Sequence, residues 1–130
     1  MNEYSKTCLQ ARTFNEENDC SVKAIAIVSG LSYSECHSLY RKHGRKNKKG
    51  TPIYITHKVL EDLGCSIDYI KPKKENGSKY TLRTIGKAYP KGDYIIITNN
   101  HMVALCDGVI EDWASNSCKR VIRLYPIRKE

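Results

Sequence analysis

The sequence predicts one α+β domain over residues 1–130, in which helices come first and an antiparallel β-sheet follows. In the first half, apolar residues recur at helical spacing between capping residues and glycine stops. From Tyr94 onwards they form short or alternating runs, which are typical of strands. The length of 130 residues, with 40% hydrophobic and 28% charged residues, fits a globular chain with its own core.

The predicted central helix begins at Asp19-Cys20 and ends at Gly30. Asp19 is a preferred N-cap residue, because its carboxylate can accept hydrogen bonds from the free N–H groups of the first turn. The stretch from Val22 to Val28 is almost entirely apolar, so the helix should be buried on most sides. Residues 1–13 are polar and mixed, and their pattern leaves a short strand or an arm open.

Three more helices are predicted from their start and stop signals. These are a helix with the capping box Ser32–Glu35 that runs to about His43, a helix with Thr51 as N-cap and Pro52 at its first position that ends at Gly64, and a short helix at Thr81–Tyr89. Residues 65–70 alternate enough to predict a strand, and the charged stretch 71–79 predicts a loop.

The second half of the chain predicts a sheet with a tight hairpin. Its strands are expected at Tyr94–Ile97, His101–Leu105, Val109–Trp113 and Arg120–Tyr125. Asp107-Gly108 between two of them is a strong signal for a two-residue turn. That turn makes His101 and Asp112 diagonal neighbours, with Cα atoms roughly 7–8 Å apart and side chains within reach of one another.

Cys20, His101 and Asp112 are the candidate catalytic residues. A thiol in the first turn of a helix has a lowered pKa, because the helix dipole favours the thiolate. Cys20 would attack, His101 would hold the proton and return it, and Asp112 would orient the imidazole. The alternatives are an inert, half-buried thiol, a surface histidine on a strand and an ordinary carboxylate at a sheet edge.

These residues stand in a wider pattern that resembles papain-like cysteine peptidases, above all the double-glycine leader peptidase domains of bacteriocin exporters. The segments that carry the resemblance are Asn15–Ala26, Gly50-Thr51-Pro52 with its helix, residues 65–71, His101–Leu105 and Glu111-Asp112. The resemblance implies a papain-like fold, with the nucleophile helix packed on the sheet. It also implies a peptide or protein substrate. Because the chain shows no exporter segment, the resemblance suggests, by analogy only, a stand-alone accessory peptidase encoded by a phage.

Two positions depart from that family pattern. Ser21 follows the cysteine where the family has glycine, and Phe14 stands where the family has a glutamine that helps to hold the oxyanion. Asn15 or Asn18 could supply the amide instead, beside the backbone N–H of Cys20. If neither asparagine reaches the site, catalysis should be weak or absent.

The charge of the chain suggests further partners. With 22 Lys and Arg against 14 Asp and Glu, the net charge is +8, which attracts anions. Residues 41–49 hold a basic run, either a solvated loop or a weak, non-specific contact for nucleic acid. An inactive binding module that uses this surface on nucleic acid or an acidic protein is the alternative function.

The remaining patterns narrow the chemistry and the location that we expect. The spacing of the cysteines and histidines predicts neither a metal site nor a cofactor. The first residues resemble no signal peptide, and no apolar run could span a membrane, so we expect a cytoplasmic protein.

Overall fold

The computed structural model describes residues 3–11, 19–46, 51–99, 101–112 and 118–127. These ranges hold helices and one antiparallel sheet, so the predicted α+β class is confirmed. The elements are α1 (Glu3–Ala11), α2 (Cys20–Ser29), α3 (Tyr33–Lys42), α4 (Ile53–Asp62), α5 (Ile85–Ala88), β1 (Asp93–Ile97), β2 (Met102–Cys106), β3 (Val109–Glu111) and β4 (Arg123–Pro126). Within the same ranges, every helix is too short or too polar to cross a membrane.

Helix α2 is the buried centre of the helical half, as predicted. Val22 and Ile25 are fully buried, and Gly30 ends the helix in the left-handed conformation with φ 75°. Asp19 is the N-cap residue, as predicted, but the predicted side-chain cap is wrong, since its carboxylate makes no hydrogen bond to the first turn within the described residues. It accepts the Tyr33 hydroxyl at 2.8 Å and pairs with Lys23 at 3.3 Å instead.

The other helices follow their predicted signals to within a few residues. The Ser32 hydroxyl accepts the backbone N–H of Glu35 at 3.1 Å, so the predicted N-cap of α3 at Ser32 is confirmed. Helix α4 begins one residue later than predicted, with Pro52 and not Thr51 as its N-cap. The Thr51 hydroxyl is engaged elsewhere, by Ser21 at 2.8 Å, and the segment that the pattern left open is helix α1.

Two predicted elements are wrong or shorter than expected. Residues 65–70 form no strand, and only Ile70 pairs with Leu124, at the edge of β4. Ile67, Tyr69 and Ile70 remain about two-fifths exposed, so this stretch lacks the buried face that stabilises a strand. The helix predicted at residues 81–89 is shorter than expected, since only α5 is helical. Leu82 and Ile85 are nevertheless buried, as predicted.

The sheet has the order β3-β2-β1-β4 and is antiparallel throughout. Successive strand residues face opposite sides, so the sheet contributes to two cores. Ile95, Met102 and Ala104 pack with the helices α2, α3 and α4 on one side. Ile96 and Leu105 pack on the other side, against Leu82 and Ile85. Helix α2 therefore lies directly on the strands that lead to the predicted histidine.

The hairpin β2–β3 has the register that the sequence predicts, with Cys106 opposite Val109 and Ala104 opposite Glu111. Asp107 and Gly108 both have positive φ, 47° and 82°, as a two-residue turn of this type requires. The turn is held against the rest of the chain, because Gly86 packs on the carbonyl oxygen of Gly108 with no room for a Cβ.

Candidate active site

The three candidate residues lie at the ends of three elements that meet. Cys20 is the first residue of α2, His101 directly precedes β2, and Asp112 directly follows β3. Cys20 and Met102 belong to the same core, so the packing of α2 on the sheet brings the thiol to the start of β2. His101 and Asp112 share the open end of the hairpin, opposite its turn.

His101 and Asp112 form the predicted hydrogen bond. Nε2 of His101 lies 2.8 Å from Oδ2 of Asp112, and the two side chains are only 9% and 6% exposed. A carboxylate in this position accepts the Nε2 proton and fixes the orientation of the ring. Nδ1 is then the nitrogen that can face the thiol.

The Cys20 thiol is hydrogen-bonded to His101 and to the backbone of Met102. Burial alone raises the pKa of Cys20, and the charge of Asp112 acts in the same direction. The hydrogen bonds from His101 and Met102, together with the charge of His101, outweigh both effects, and the pKa of the thiol is lowered. The histidine, and not the helix end alone, therefore favours the thiolate.

His101 changes in the opposite direction. The hydrogen bond to Asp112 raises its pKa from 6.5 to about 9, with a further contribution from the hydrogen bond to Cys20. A lowered thiol pKa beside a raised imidazole pKa shifts the two groups towards a thiolate–imidazolium pair. Such a pair is the resting form that nucleophilic cysteine chemistry requires.

Other cysteines lack this environment. All six are free thiols, and the apolar patterns around Cys36, Cys65 and Cys106 predict that these three react slowly. Burial raises the pKa of Cys36 to about 11 and that of Cys106 to about 12. Among Cys20, Cys36 and Cys106, only Cys20 has a lowered thiol pKa.

A buried polar network, which the sequence did not indicate, supports the first turn of α2. The Ser21 hydroxyl donates to Thr51 at 2.8 Å, and Nε of Arg45 donates to the same oxygen at 3.1 Å. The Tyr40 hydroxyl hydrogen-bonds to Ser21 and lies 3.0 Å from Thr56. The partners are far apart in the chain, so no local pattern could have revealed them.

The structure does not describe the asparagines that were proposed to hold the oxyanion. Asn15 and Asn18 lie outside the described residues, as does Phe14. Their proposed role stays a prediction. The backbone N–H of Cys20 lies at the N-terminus of α2, where the helix dipole favours a negative charge.

Much of the basic run is engaged within the protein. Arg45 is only 6% exposed and belongs to the network beneath α2. Lys42 and His43 both contact Asp62, at 3.4 and 2.6 Å. Residues 47–49 lie outside the described part of the chain, so a nucleic-acid contact by the whole run stays a prediction.

Comparison with known proteins supplies no relative that suggests a function, so the function has to be inferred from the geometry of the site. Neither protein-family models, nor curated proteins, nor solved structures give a significant match to this chain. Among the described residues, no three His, Cys, Asp or Glu side chains converge as a metal site would require.

Proposed function

We propose that the protein is a papain-like cysteine hydrolase that cleaves a peptide, isopeptide or amide bond through an acyl-enzyme. The observation that carries the proposal is the continuous hydrogen-bonded line from the Cys20 thiol through His101 to Asp112. Cys20 begins α2, and His101 and Asp112 flank the open end of the β2–β3 hairpin, the arrangement expected when a nucleophile helix packs on an antiparallel sheet. The lowered pKa of the thiol supplies the nucleophile.

In the first half of the reaction, the thiolate of Cys20 attacks the carbonyl carbon, and a C–S bond forms as the carbonyl electrons move to oxygen. The backbone N–H of Cys20 donates to this oxyanion at the helix N-terminus. When the intermediate collapses, the C–N bond breaks and the His101 imidazolium gives its proton to the leaving amine. The products are a free amine and an acyl-enzyme on Cys20.

Water completes the cycle with His101 as the base. The neutral imidazole takes a proton from the attacking water, and the second intermediate expels the Cys20 thiolate. The carboxylic acid leaves, and the thiolate–imidazolium pair is restored. Throughout, Asp112 holds the ring and stabilises the imidazolium through the 2.8 Å hydrogen bond.

Reactivity of the individual thiols tests the resting state of the site. Limited labelling with iodoacetamide at about pH 6, mapped by mass spectrometry, should modify Cys20 well before Cys36 and Cys106. In a His101→Ala variant, the preference for Cys20 should disappear, because the main partner that lowers its pKa is gone. Equal labelling of all three thiols in the native protein would contradict the proposal.

Turnover separates a hydrolase from a binding module that merely has a reactive thiol. A mixture of synthetic peptides, followed by mass spectrometry for new termini, should be cleaved by the native chain and not by Cys20→Ala. His101→Ala should lose about 10²–10⁴-fold in rate, the usual contribution of a general acid–base. Cys118→Ala is the matched control, because Cys118 is an exposed thiol and should be dispensable. Cleavage that survives in Cys20→Ala would refute the mechanism.

A further inference from the structure

A basic cleft lies at the end of the sheet where β1 turns into β2. Its volume is about 500 Å³, and it is lined by Lys79, Thr98, Asn99, Lys119, Arg120 and Ile122. Three of these six side chains are cationic, and within the described chain none of the lining residues is acidic. A concave site with one sign of charge concentrates ligands of the opposite charge.

The cleft shares a chain turn with His101. The backbone N–H of Thr98 donates to the carbonyl of His101 at 2.9 Å, and the Thr98 hydroxyl donates to the same oxygen at 3.2 Å. Only two residues separate Thr98 from His101, and Asn99, which lines the cleft, is one of them. The wall of the cleft and the backbone of the histidine are therefore parts of one tight turn.

The lining favours carboxylates over nucleic acid. Among its described residues there is no aromatic ring, so an unpaired base would have nothing to stack on. Lysine and arginine side chains with the amide of Asn99 supply N–H donors that suit carboxylate oxygens. The volume is of the size that holds a few side chains and not a duplex.

We propose that this cleft binds acidic side chains of the substrate on the leaving-group side of the scissile bond. The inference rests on the proposed hydrolase function. Because His101 protonates the leaving amine, the peptide beyond that amine must pass on the His101 side of Cys20. The cleft begins at the turn that carries His101, so acidic residues there would meet Lys79 and Arg120.

Binding can be measured without catalysis by using the Cys20→Ala variant. A fluorescein-labelled octapeptide of alternating Gly and Glu should bind more tightly than the same peptide with Gln, and added salt should weaken it. Adding Lys79→Glu and Arg120→Glu should reduce its affinity about tenfold, through two lost attractions and new repulsion. Adding Lys87→Glu and Lys91→Glu changes the net charge equally at exposed sites outside the cleft and should have little effect.

A protection experiment links the cleft to the thiol. In the native chain, the Gly-Glu peptide should slow the alkylation of Cys20, and the Gly-Gln peptide should not. Equal affinity for both peptides, or an acidic preference that survives Lys79→Glu/Arg120→Glu, would overturn the proposal. So would tighter binding of a short oligothymidylate in the same cleft, which would make it a nucleic-acid site.

The two proposals fail in different ways. If Cys20 cleaves peptides with no preference for acidic residues beyond the scissile bond, the hydrolase stands and the substrate assignment falls. If acidic peptides bind in the cleft but Cys20→Ala and the native chain are equally inactive, the hydrolase itself falls and takes the substrate assignment with it.

Discussion

Replacing Asp112 with asparagine should lower the pKa of His101 and leave the ring in place. The hydrogen bond to Asp112 is the largest cause that raises this pKa from 6.5 to about 9. At about pH 8, a histidine with the raised pKa is about 90% protonated, whereas one with the ordinary value is about 3% protonated. Asp112→Asn should therefore lower the imidazolium population up to about 30-fold at that pH. Because the hydrogen bond to Cys20 also raises the pKa and remains, this factor is an upper limit.

The titration can be followed directly by NMR on the Cε1–H resonance of His101, with no substrate needed. The native protein should titrate near 9, and Asp112→Asn should titrate well below it. Glu111→Gln is the matched control, since it removes a neighbouring carboxylate whose contact is with the backbone N–H of Tyr4. Its titration should match that of the native protein.

Asp112→Asn should also change the free energy of unfolding in a way that depends on pH. A pKa that is higher in the folded than in the unfolded state stabilises the fold fully below about pH 6.5, and this stabilisation is lost as the pH rises through about 9. Asp112→Asn should therefore lower the free energy of unfolding most near about pH 6.5, and progressively less as the pH rises through about 9. A native His101 that titrates near its ordinary value, or a titration unchanged by Asp112→Asn, would refute the electrostatic account of the site.

Two further predictions concern the frame that positions the site. Gly86→Ala should destabilise the fold by about 1–3 kcal/mol in denaturant unfolding, because its Cβ would meet the carbonyl oxygen of Gly108; an unchanged midpoint would show that the turn can move. Ser32→Ala should cost about 1 kcal/mol through loss of the cap to the N–H of Glu35. Ser34→Ala, at an exposed position in the same helix, is its control, and an equal cost there would argue against the cap.

The parts of the site that could be predicted are those governed by local rules. The pairing of His101 with Asp112 follows from the hairpin, because a two-residue turn at Asp107-Gly108 leaves only one register. The extent of α2 follows from the N-cap residue Asp19 at its start, its apolar run and the glycine that ends it. The meeting of Cys20 with His101 is a long-range contact that no local pattern forces. It is predicted by the chemistry of a helix-terminal thiol with a His–Asp pair and by the resemblance to papain-like peptidases.

Two of the failures share a physical origin, in which a partner outside the local pattern binds a polar side chain. Asp19 has the chemistry of an N-cap, but the Tyr33 hydroxyl and the Lys23 ammonium hold its carboxylate instead. Arg45 stands in a run of charges that predicts a solvated loop, yet its side chain is buried and donates a hydrogen bond to Thr51. The structural propensity of a residue type describes its behaviour without such partners, so it cannot predict which partner the side chain will bind.

Ser21, which directly follows Cys20, helps to hold the first turn of α2 in place. A glycine at that position would carry no hydroxyl, whereas Ser21 donates to Thr51 and is hydrogen-bonded to Tyr40. These bonds tie the first turn of α2 to α3 and to the start of α4, independently of the sheet. Because α2 also packs on β2, the thiol is fixed from two directions, one polar and one apolar. Ser21, which departs from the papain-like pattern, is thus compatible with a well-positioned thiol at Cys20.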